Sequence, residues 1–335
     1  MRKIKINMLS YANSVKGQGV GTAYLELMNL LKNNKSFDID VNKGLDYDVM
    51  HVHTMDPISF IKQRLSKGKG VTHVHFLPNT LEGAIKAPKI FMNLFKKYVK
   101  RMYMKSDYLV VVNPDYIKIF EEWGFKKENI FYIPNFISSK NFYKMDKKSI
   151  MNIRKKYKYK DSDFIVVSVG QLHNGKGIKD FFKCAKDNPD IKFLWIGGFN
   201  FGSFMEGYEE TKKIYENPYP NLKFTGIIDR KEVNKLLNAS DVFFLPSLAE
   251  SFSIVTIEAS NTGKPIVLRD LDVYKNIFFD NYLKGNNDKE FSKILRELKD
   301  NKELYKIYSK KSNNIKNEYS EKNVLKKWEN MYKQL

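Results

Sequence analysis

Short apolar runs alternate with stretches in which apolar residues recur three and four positions apart, and the alternation continues along almost the whole chain. In the first half the runs fall at residues 3–9, 48–53, 70–76 and 108–113, with helical patterns between them, as a parallel sheet requires. A glycine loop at residues 16–21 follows the first run and precedes a helical pattern at 24–31, which makes a β-loop-α unit. After a run at 129–137 comes a polar, lysine-rich stretch to about residue 163, and then the alternation restarts at 164–170. Further runs follow at 192–197, 222–226, 241–246 and 265–268. From about residue 288 the sequence is charged and helical, with Trp328 and Tyr332 spaced for one apolar face. The pattern predicts two doubly wound α/β domains with a joint near residues 136–142.

A length of 335 residues agrees with two domains, and an apolar fraction of 42%, with 24 Phe and 20 Tyr, supplies both cores. No window approaches the ~18 consecutive apolar residues of a spanning helix. The opening residues 1–10 are too short and interrupted for a signal-peptide core, so the chain is expected neither to span a membrane nor to be exported. The single cysteine, Cys184, sits in a helical pattern and reads as a buried structural thiol. Fifty-eight Lys and Arg against 38 Asp and Glu give a formal charge of +20. That predicts attraction to a polyanion, whether nucleic acid, anionic lipid or a phosphorylated substrate, although lysine richness can also reflect compositional bias.

Two segments carry candidate chemistry. Residues 245–267 hold Glu250 and Glu258, separated by seven residues, between Leu-Pro-Ser and Gly-Lys-Pro-Ile-Val. A carboxylate can accept two vicinal hydroxyls, and a helix start between the glutamates offers the amides of Ser253, Ile254 and Val255 to an anionic diphosphate. The plainer alternative is an amphipathic helix with two solvated glutamates. The second segment, residues 169–177, places Gly170, Gln171 and Lys176 in a glycine-rich loop after a strand. The earlier loop adds Gly19 and Gly21, whose spacing misses the clean dinucleotide fingerprint. Of the five histidines, His53, His73 and His75 fall near strand ends, and no spacing suggests a metal site.

The segment from 245 to 267 resembles the donor-site signature of family-four glycosyltransferases, which have the GT-B fold of two Rossmann-like domains facing a cleft. The resemblance implies that Glu250 contacts the donor hexose and Glu258 the ribose hydroxyls. It further implies that Lys176 binds the diphosphate and that His75, at a strand end, faces the sugar. Gln171 stands where the family commonly has arginine, so one charge of the usual pair is missing. The implied catalytic set is Glu250, Lys176 and His75. The donor cradle is Gly19, Gly21, Gly170, Gln171, Lys176, Ser253, Ile254, Val255 and Glu258. No metal or cofactor is implied, and UDP-glucose or UDP-galactose is the expected donor. The expected domains are residues 1–137 for the acceptor and membrane, with a helix at 318–335 packing back onto it, and residues 138–317 for the donor.

Residues 86–105 contain seven basic residues and no acidic one. Ile90, Phe91, Leu94, Phe95, Tyr98 and Met102 recur there at helical spacing beside Lys96, Lys97, Lys100 and Arg101, and Pro88 suits a first turn. Such a helix can lie on an anionic bilayer, the alternative being a core-packed helix with a solvated basic face. Residues 6–10 and 17–26, together with residues 72–81, look most like the bacterial glycosyldiacylglycerol glycosyltransferases. That likeness implies a glycolipid acceptor such as monoglucosyldiacylglycerol and a cytoplasmic protein bound to the inner membrane face. A cell-wall, capsule or teichoic-acid precursor, or a soluble sugar, is the alternative acceptor. A nucleic-acid-binding protein would explain the charge but has no zinc or RNA-recognition signature and leaves the glutamates unexplained.

Overall fold

A computed structural model describes residues 2–11, 19–78, 88–199 and 207–335. The described residues divide into two compact units: those up to Phe136 together with Tyr319–Leu335, and Ile137–Glu318.

The first unit runs β1 (Ile4–Leu9), α1 (Gly19–Lys32), β2 (Phe37–Val41), β3 (Val49–Val52), α2 (Pro57–Leu65), β4 (Lys69–Val74), α3 (Lys89–Met104), β5 (Tyr108–Val111), α4 (Asp115–Glu122) and β6 (Ile130–Tyr132). Its strands form one parallel sheet in the order β2-β1-β3-β4-β5-β6. The near-continuous apolar runs of β3 to β5 follow from burial on both faces. β2 was not legible as a strand, because Phe37-Asp-Ile-Asp-Val alternates polar residues at the sheet edge.

The second unit runs α5 (Lys147–Lys156), β7 (Ile165–Val169), α6 (Ile178–Asp187), β8 (Lys192–Ile196), α7 (Tyr208–Glu216), β9 (Leu222–Phe224), α8 (Arg230–Ala239), β10 (Val242–Leu245), α9 (Ile254–Ser260), β11 (Ile266–Arg269), α10 (Asp272–Lys275), β12 (Leu283–Gly285), α11 (Asp288–Asp300) and α12 (Lys302–Glu318). Its parallel sheet has the order β12-β11-β10-β7-β8-β9, so the direction of winding reverses between β7 and β10. In open α/β sheets ligands bind outside the carboxyl ends of the strands at that reversal. Phe181, Phe193, Trp195 and Phe244 fill the core beneath it. Cys184 lies in that core on α6, where burial pushes its thiol up to about 12.

The last helix, α13 (Glu321–Gln334), belongs to the first unit. Val324, Trp328, Met331 and Tyr332 pack with Ile6 and Met8 of β1 and Leu27 and Leu31 of α1. Among the described residues no helix is long and apolar enough to cross a membrane.

Candidate functional site

In the second unit the loops that follow β7 and β10 meet at the carboxyl edge of the sheet. Lys176 ends a short 3-10 turn and Gly177 then caps the start of α6 at φ +68°. A Cβ at Gly177 would stand 1.8 Å from the Pro246 carbonyl oxygen, so only glycine lets the two loops touch. Leu248 N donates to the Gly175 carbonyl at 2.9 Å, and Arg269 Nε donates to the Pro246 carbonyl at 3.1 Å, which fixes the second loop from both sides. Gly197, at φ +133°, presses against the Gly170 carbonyl, which also accepts from Trp195 Nε1 at 2.9 Å.

This scaffold brings Lys176 and Glu250 together. Lys176 Nζ lies 2.5 Å from Glu250 Oε1, and the Ser247 hydroxyl donates to the same oxygen at 2.8 Å. The aliphatic chain of Lys176 lies over Gly170, within 3.8 Å of where a Cβ would be. His173 accepts from Gly175 N through Nδ1 at 3.1 Å, and burial, with the Lys176 cation beside it, holds its ring down at about 4. Gln171 is half-buried next to Gly170. Beyond Glu250 the chain turns through Ser253, at φ +66°, into α9, whose first amides have no acceptor within the helix. Ser253 is thus a non-glycine residue held in the left-handed region, a strained backbone at the head of the helix. Its hydroxyl is 2.8 Å from that of Thr256. Burial beside the Glu250 carboxylate holds the Tyr274 phenol well above its ordinary range.

Glu258, in α9, is only 5% exposed and is bound by Arg230 Nη2 at 2.9 Å. Arg230 opens α8, and its guanidinium carbon lies 5.0 Å from the centroid of the Phe142 ring. Sequence reading missed Arg230 and Ser247. Ser247 stands in the Leu-Pro-Ser element already recognised before Glu250, whereas Arg230 is 28 positions from its partner and no local rule points to it.

In the first unit the expectations fare unevenly. Gly19 and Gly21 lie in the first turn of α1 rather than in a loop before it, because the helix starts at Gly19 and not near residue 24. Among the described residues a Cβ at Gly19 would meet nothing within 4 Å. The loop glycine at position 17 lies outside the described residues.

His75 does sit directly after β4, and it is not alone. β3 and β4 pair with Val52 opposite Thr72, so alternate residues put His51, His53, His73 and His75 on one face of the sheet. His53 Nδ1 is 3.0 Å from His75 Nε2, and His73 Nδ1 is 3.2 Å from His53 Nε2. His51 Nδ1 is 2.6 Å from the Tyr332 hydroxyl, and Trp328 covers both His51 and His73, with ring centroids 5.4 and 5.5 Å away. Desolvation by burial holds His51 and His75 down at about 3, and His53 and His73 well below 6.5. The strand spacing gave no sign of this cluster, in which ring nitrogens of His51, His53 and His73 lie within 4.8 Å of one another. Of the contacts among these three rings, that between His73 and His53 is a hydrogen bond, and His51 meets the other two ring to ring, with centroids 4.7 and 5.6 Å away.

Helix α3 begins at Lys89 with Pro88 in the cap position, and residues 86–87 lie outside the described residues. Its apolar positions divide. Val99, Met102 and Tyr103 are buried, and Phe95 and Tyr98 are half-buried, whereas Ile90, Phe91 and Leu94 are 77%, 62% and 62% exposed. Neighbouring α2 exposes Ile58, Ile61 and Leu65, and the two helices are joined by Phe60 against Tyr98 and by Arg64 Nη1 donating to the Lys105 carbonyl at 3.1 Å.

Comparison with known proteins gives the family and the fold. Residues 16–140 match the family described as Glycosyltransferase Family 4, and residues 149–315 match Glycosyl transferases group 1. The alpha-galactosylglucosyldiacylglycerol synthase of Streptococcus pneumoniae is 38% identical over 335 residues, 99% of this chain and 90% of that protein. The processive diacylglycerol alpha-glucosyltransferase of Acholeplasma laidlawii is 25% identical over 299 residues, 88% of each. Among solved structures, HepE of Anabaena in complex with UDP-glucose superposes with a TM-score of 0.81 at 16% identity, covering 99% of this chain and 100% of that one. Sucrose-phosphate synthase of Thermosynechococcus elongatus gives 0.82 at 15%, covering 99% of both. At such identities the likeness is one of fold.

Proposed function

The chain belongs to glycosyltransferase family 4 and has the GT-B fold, and from that premise we propose that it moves a hexose from UDP-glucose or UDP-galactose to a diacylglycerol glycolipid, monoglucosyldiacylglycerol first among them. The observation that carries the acceptor class is the 38% identity, over nearly the full chain, to an enzyme named for that chemistry. The fold shared with HepE, whose crystal holds UDP-glucose, supports the donor class.

In this reading the donor binds the second unit. Lys176, Gly170 and Gln171, with the amides of Ser253, Ile254 and Val255, receive the diphosphate. Glu258 takes the ribose hydroxyls and Glu250 the hexose. The bond between C1 of the hexose and the diphosphate breaks with its electron pair leaving on phosphate oxygen. Lys176 and the amides stabilise that charge, the electrostatic work that supplies much of enzymatic rate enhancement. The acceptor hydroxyl attacks C1 from the face the diphosphate leaves, passes its proton to the departing oxygen, and keeps the anomeric configuration. No step calls for a metal ion. Gln171 leaves the cradle one cation short of the usual family pair. In the first unit, His75 and the start of α1 with Gly19 and Gly21 serve the acceptor and hexose side.

The first unit also carries the membrane contact. The exposed Ile90, Phe91 and Leu94, with exposed Lys89, Lys97, Lys100 and Arg101, support reversible docking of residues 86–105 on an anionic surface, and Ile58, Ile61 and Leu65 enlarge the apolar face. Each cation near such a leaflet contributes about 1 kcal/mol. A UDP-sugar donor and a lipid acceptor together put the enzyme at the cytoplasmic face of the cell membrane.

UDP release from each UDP-sugar, with and without monoglucosyldiacylglycerol in anionic vesicles, tests the reading. Release that needs the lipid supports it. Release that needs a polyprenyl-linked or soluble acceptor instead would move the enzyme to another pathway with the fold unchanged.

A further inference from the structure

We propose that His53 and His73 are positioning residues that fix the tautomer of His75, so that His75 offers an N–H at Nδ1. The inference deepens the reading of His75 as the ring that meets the transferred hexose, and rests on it.

The protons of the three neutral rings restrict how they can bond. The three rings form a chain from His73 through His53 to His75, with contacts of 3.2 and 3.0 Å. All are buried, and a neutral imidazole carries one N–H and one lone pair. His53 is engaged at both nitrogens, so it must donate at one and accept at the other. Only two arrangements satisfy both contacts. In the first, His73 Nδ1–H donates to His53 Nε2 and His53 Nδ1–H donates to His75 Nε2. The His75 proton then sits on Nδ1, and His73 Nε2 is left as a bare lone pair. In the second, both bonds reverse, His75 carries its proton on Nε2, and His73 must carry an N–H at Nε2.

What surrounds His73 Nε2 decides between them. That atom is buried with no hydrogen-bond partner among the described residues. A buried N–H without an acceptor is rarer in folded proteins than an underused acceptor. The first arrangement avoids the orphan N–H and is selected. The stack fixes the rings in place as well: His73 and His75 lie 4.1 Å apart at 22°, and Tyr24 meets His53 edge-on at 5.4 Å. His75 thereby presents a single, oriented donor at Nδ1, suited to an oxygen of the hexose and unable to act there as a base.

With only five histidines in the chain, ring-nitrogen chemical shifts can be assigned by single substitution. Long-range proton–nitrogen correlation spectra of histidine-labelled protein at pH 7.5 are expected to give Nδ1–H forms for His53, His73 and His75. In His53→Leu the His75 proton moves to Nε2, the ordinary preference of a free imidazole. In His53→Asn, whose amide N–H replaces that of Nδ1, it stays on Nδ1. Turnover tracks the tautomer: kcat falls roughly ten- to hundred-fold in His53→Leu with little change in donor KM, the loss typical of removing a group that orients an imidazole, and His53→Asn recovers most of it. An Nε2–H form of His75 in the unaltered protein, or an unchanged His75 tautomer in a folded His53→Leu protein, overturns the proposal. The spectra need no turnover, so they separate the two readings. If His75 is Nδ1–H and His75→Ala still turns over normally, the relay stands and the sugar-facing role of His75 falls.

Discussion

Lys176 and Glu250 hold each other across the two loops of the second unit, Nζ to Oε1 at 2.5 Å, so the cation read as the diphosphate ligand is already engaged by the carboxylate read as the hexose ligand. A donor must loosen that pair to gain the lysine. Replacing Glu250 by Gln removes the competing charge and keeps the shape. UDP is then expected to bind about three- to ten-fold tighter while kcat drops, because the pair's attraction no longer opposes binding. Calorimetric titration of UDP beside a UDP-release assay reads both. Lys176→Ala should weaken UDP and lower kcat/KM by about 10²-fold, as removing one preorganised charge donor usually does.

Arg230 and Glu258 make the second prediction. Glu258 is almost wholly buried, and its carboxylate has the Arg230 guanidinium at 2.9 Å. Arg230→Gln takes the guanidinium charge away from that buried carboxylate. Donor KM is expected to rise roughly ten-fold, about 1.4 kcal/mol, with a smaller effect on kcat. An equal fall in kcat with unchanged KM would mean that Arg230 acts on the chemistry rather than on nucleoside binding.

The contrast between these two pairs shows what a sequence discloses. Glu250 and Glu258 were legible because both lie on one loop-helix segment, whose flanking Leu-Pro-Ser and Gly-Lys-Pro-Ile-Val carry the family resemblance. Ser247 stood inside the same segment, yet its bond to Glu250 needed the loop's path. Arg230 reaches Glu258 only because β9 and α8 bring it across the sheet, and nothing local encodes that. Among the described residues the apolar runs gave ten of twelve strands and missed β2 and β12, two of the four edge strands, β2 for its alternating Asp residues and β12 for having one large apolar residue, Leu283, in its three. The alternation His-x-His was visible twice, but the β3–β4 register that joins the two pairs into a network was not.

Gly177 is the hinge of the loop contact. With φ at +68° and a Cβ placed 1.8 Å from the Pro246 carbonyl oxygen, alanine there must push the two loops apart. Gly177→Ala is expected to destabilise the folded protein by more than about 2 kcal/mol and to lower kcat/KM by separating Lys176 from Glu250. Thermal melts with and without UDP check this: the variant should melt lower and gain less from the ligand.

The buried histidines make stability depend on pH. Unfolded, each ring binds a proton near 6.5, whereas burial holds His51 and His75 down to about 3 and His53 and His73 well below 6.5. Their neighbours Tyr24 and Tyr332 are themselves pushed up and stay neutral in this range. Between those values the unfolded chain binds more protons, so stability is full above about pH 6.5 and is lost on acidification. Each such histidine contributes a slope approaching about 1.4 kcal/mol per pH unit. The melting temperature should therefore fall from pH 7 to pH 5, before most carboxylates titrate, and fall less steeply in His73→Gln. A flat profile over that window would contradict the burial of these rings.

The exposed face of α3 bears on where the enzyme works. Ile90, Phe91 and Leu94 project from the first turns of a helix whose buried side is held by Val99, Met102 and Tyr103, so replacing them removes surface without opening the core. Ile90→Ser/Phe91→Ser/Leu94→Ser is expected to leave the melting temperature within a few degrees, since surface substitutions usually stay within about 0.5 kcal/mol each. Vesicle binding should fall sharply, because roughly 1.5–3 kcal/mol accompanies burial of each large apolar side chain. Activity on glycolipid in vesicles should fall with it, and activity on a short-chain, water-soluble acceptor far less. Charge reversal at Lys97 and Lys100 should weaken binding to anionic but not to neutral vesicles, and added salt should reproduce that loss in the unaltered protein. If the triple variant sediments with anionic vesicles as well as the parent does, α3 is not the docking helix, and the apolar face of α2 at Ile58, Ile61 and Leu65 becomes the segment that meets the lipid.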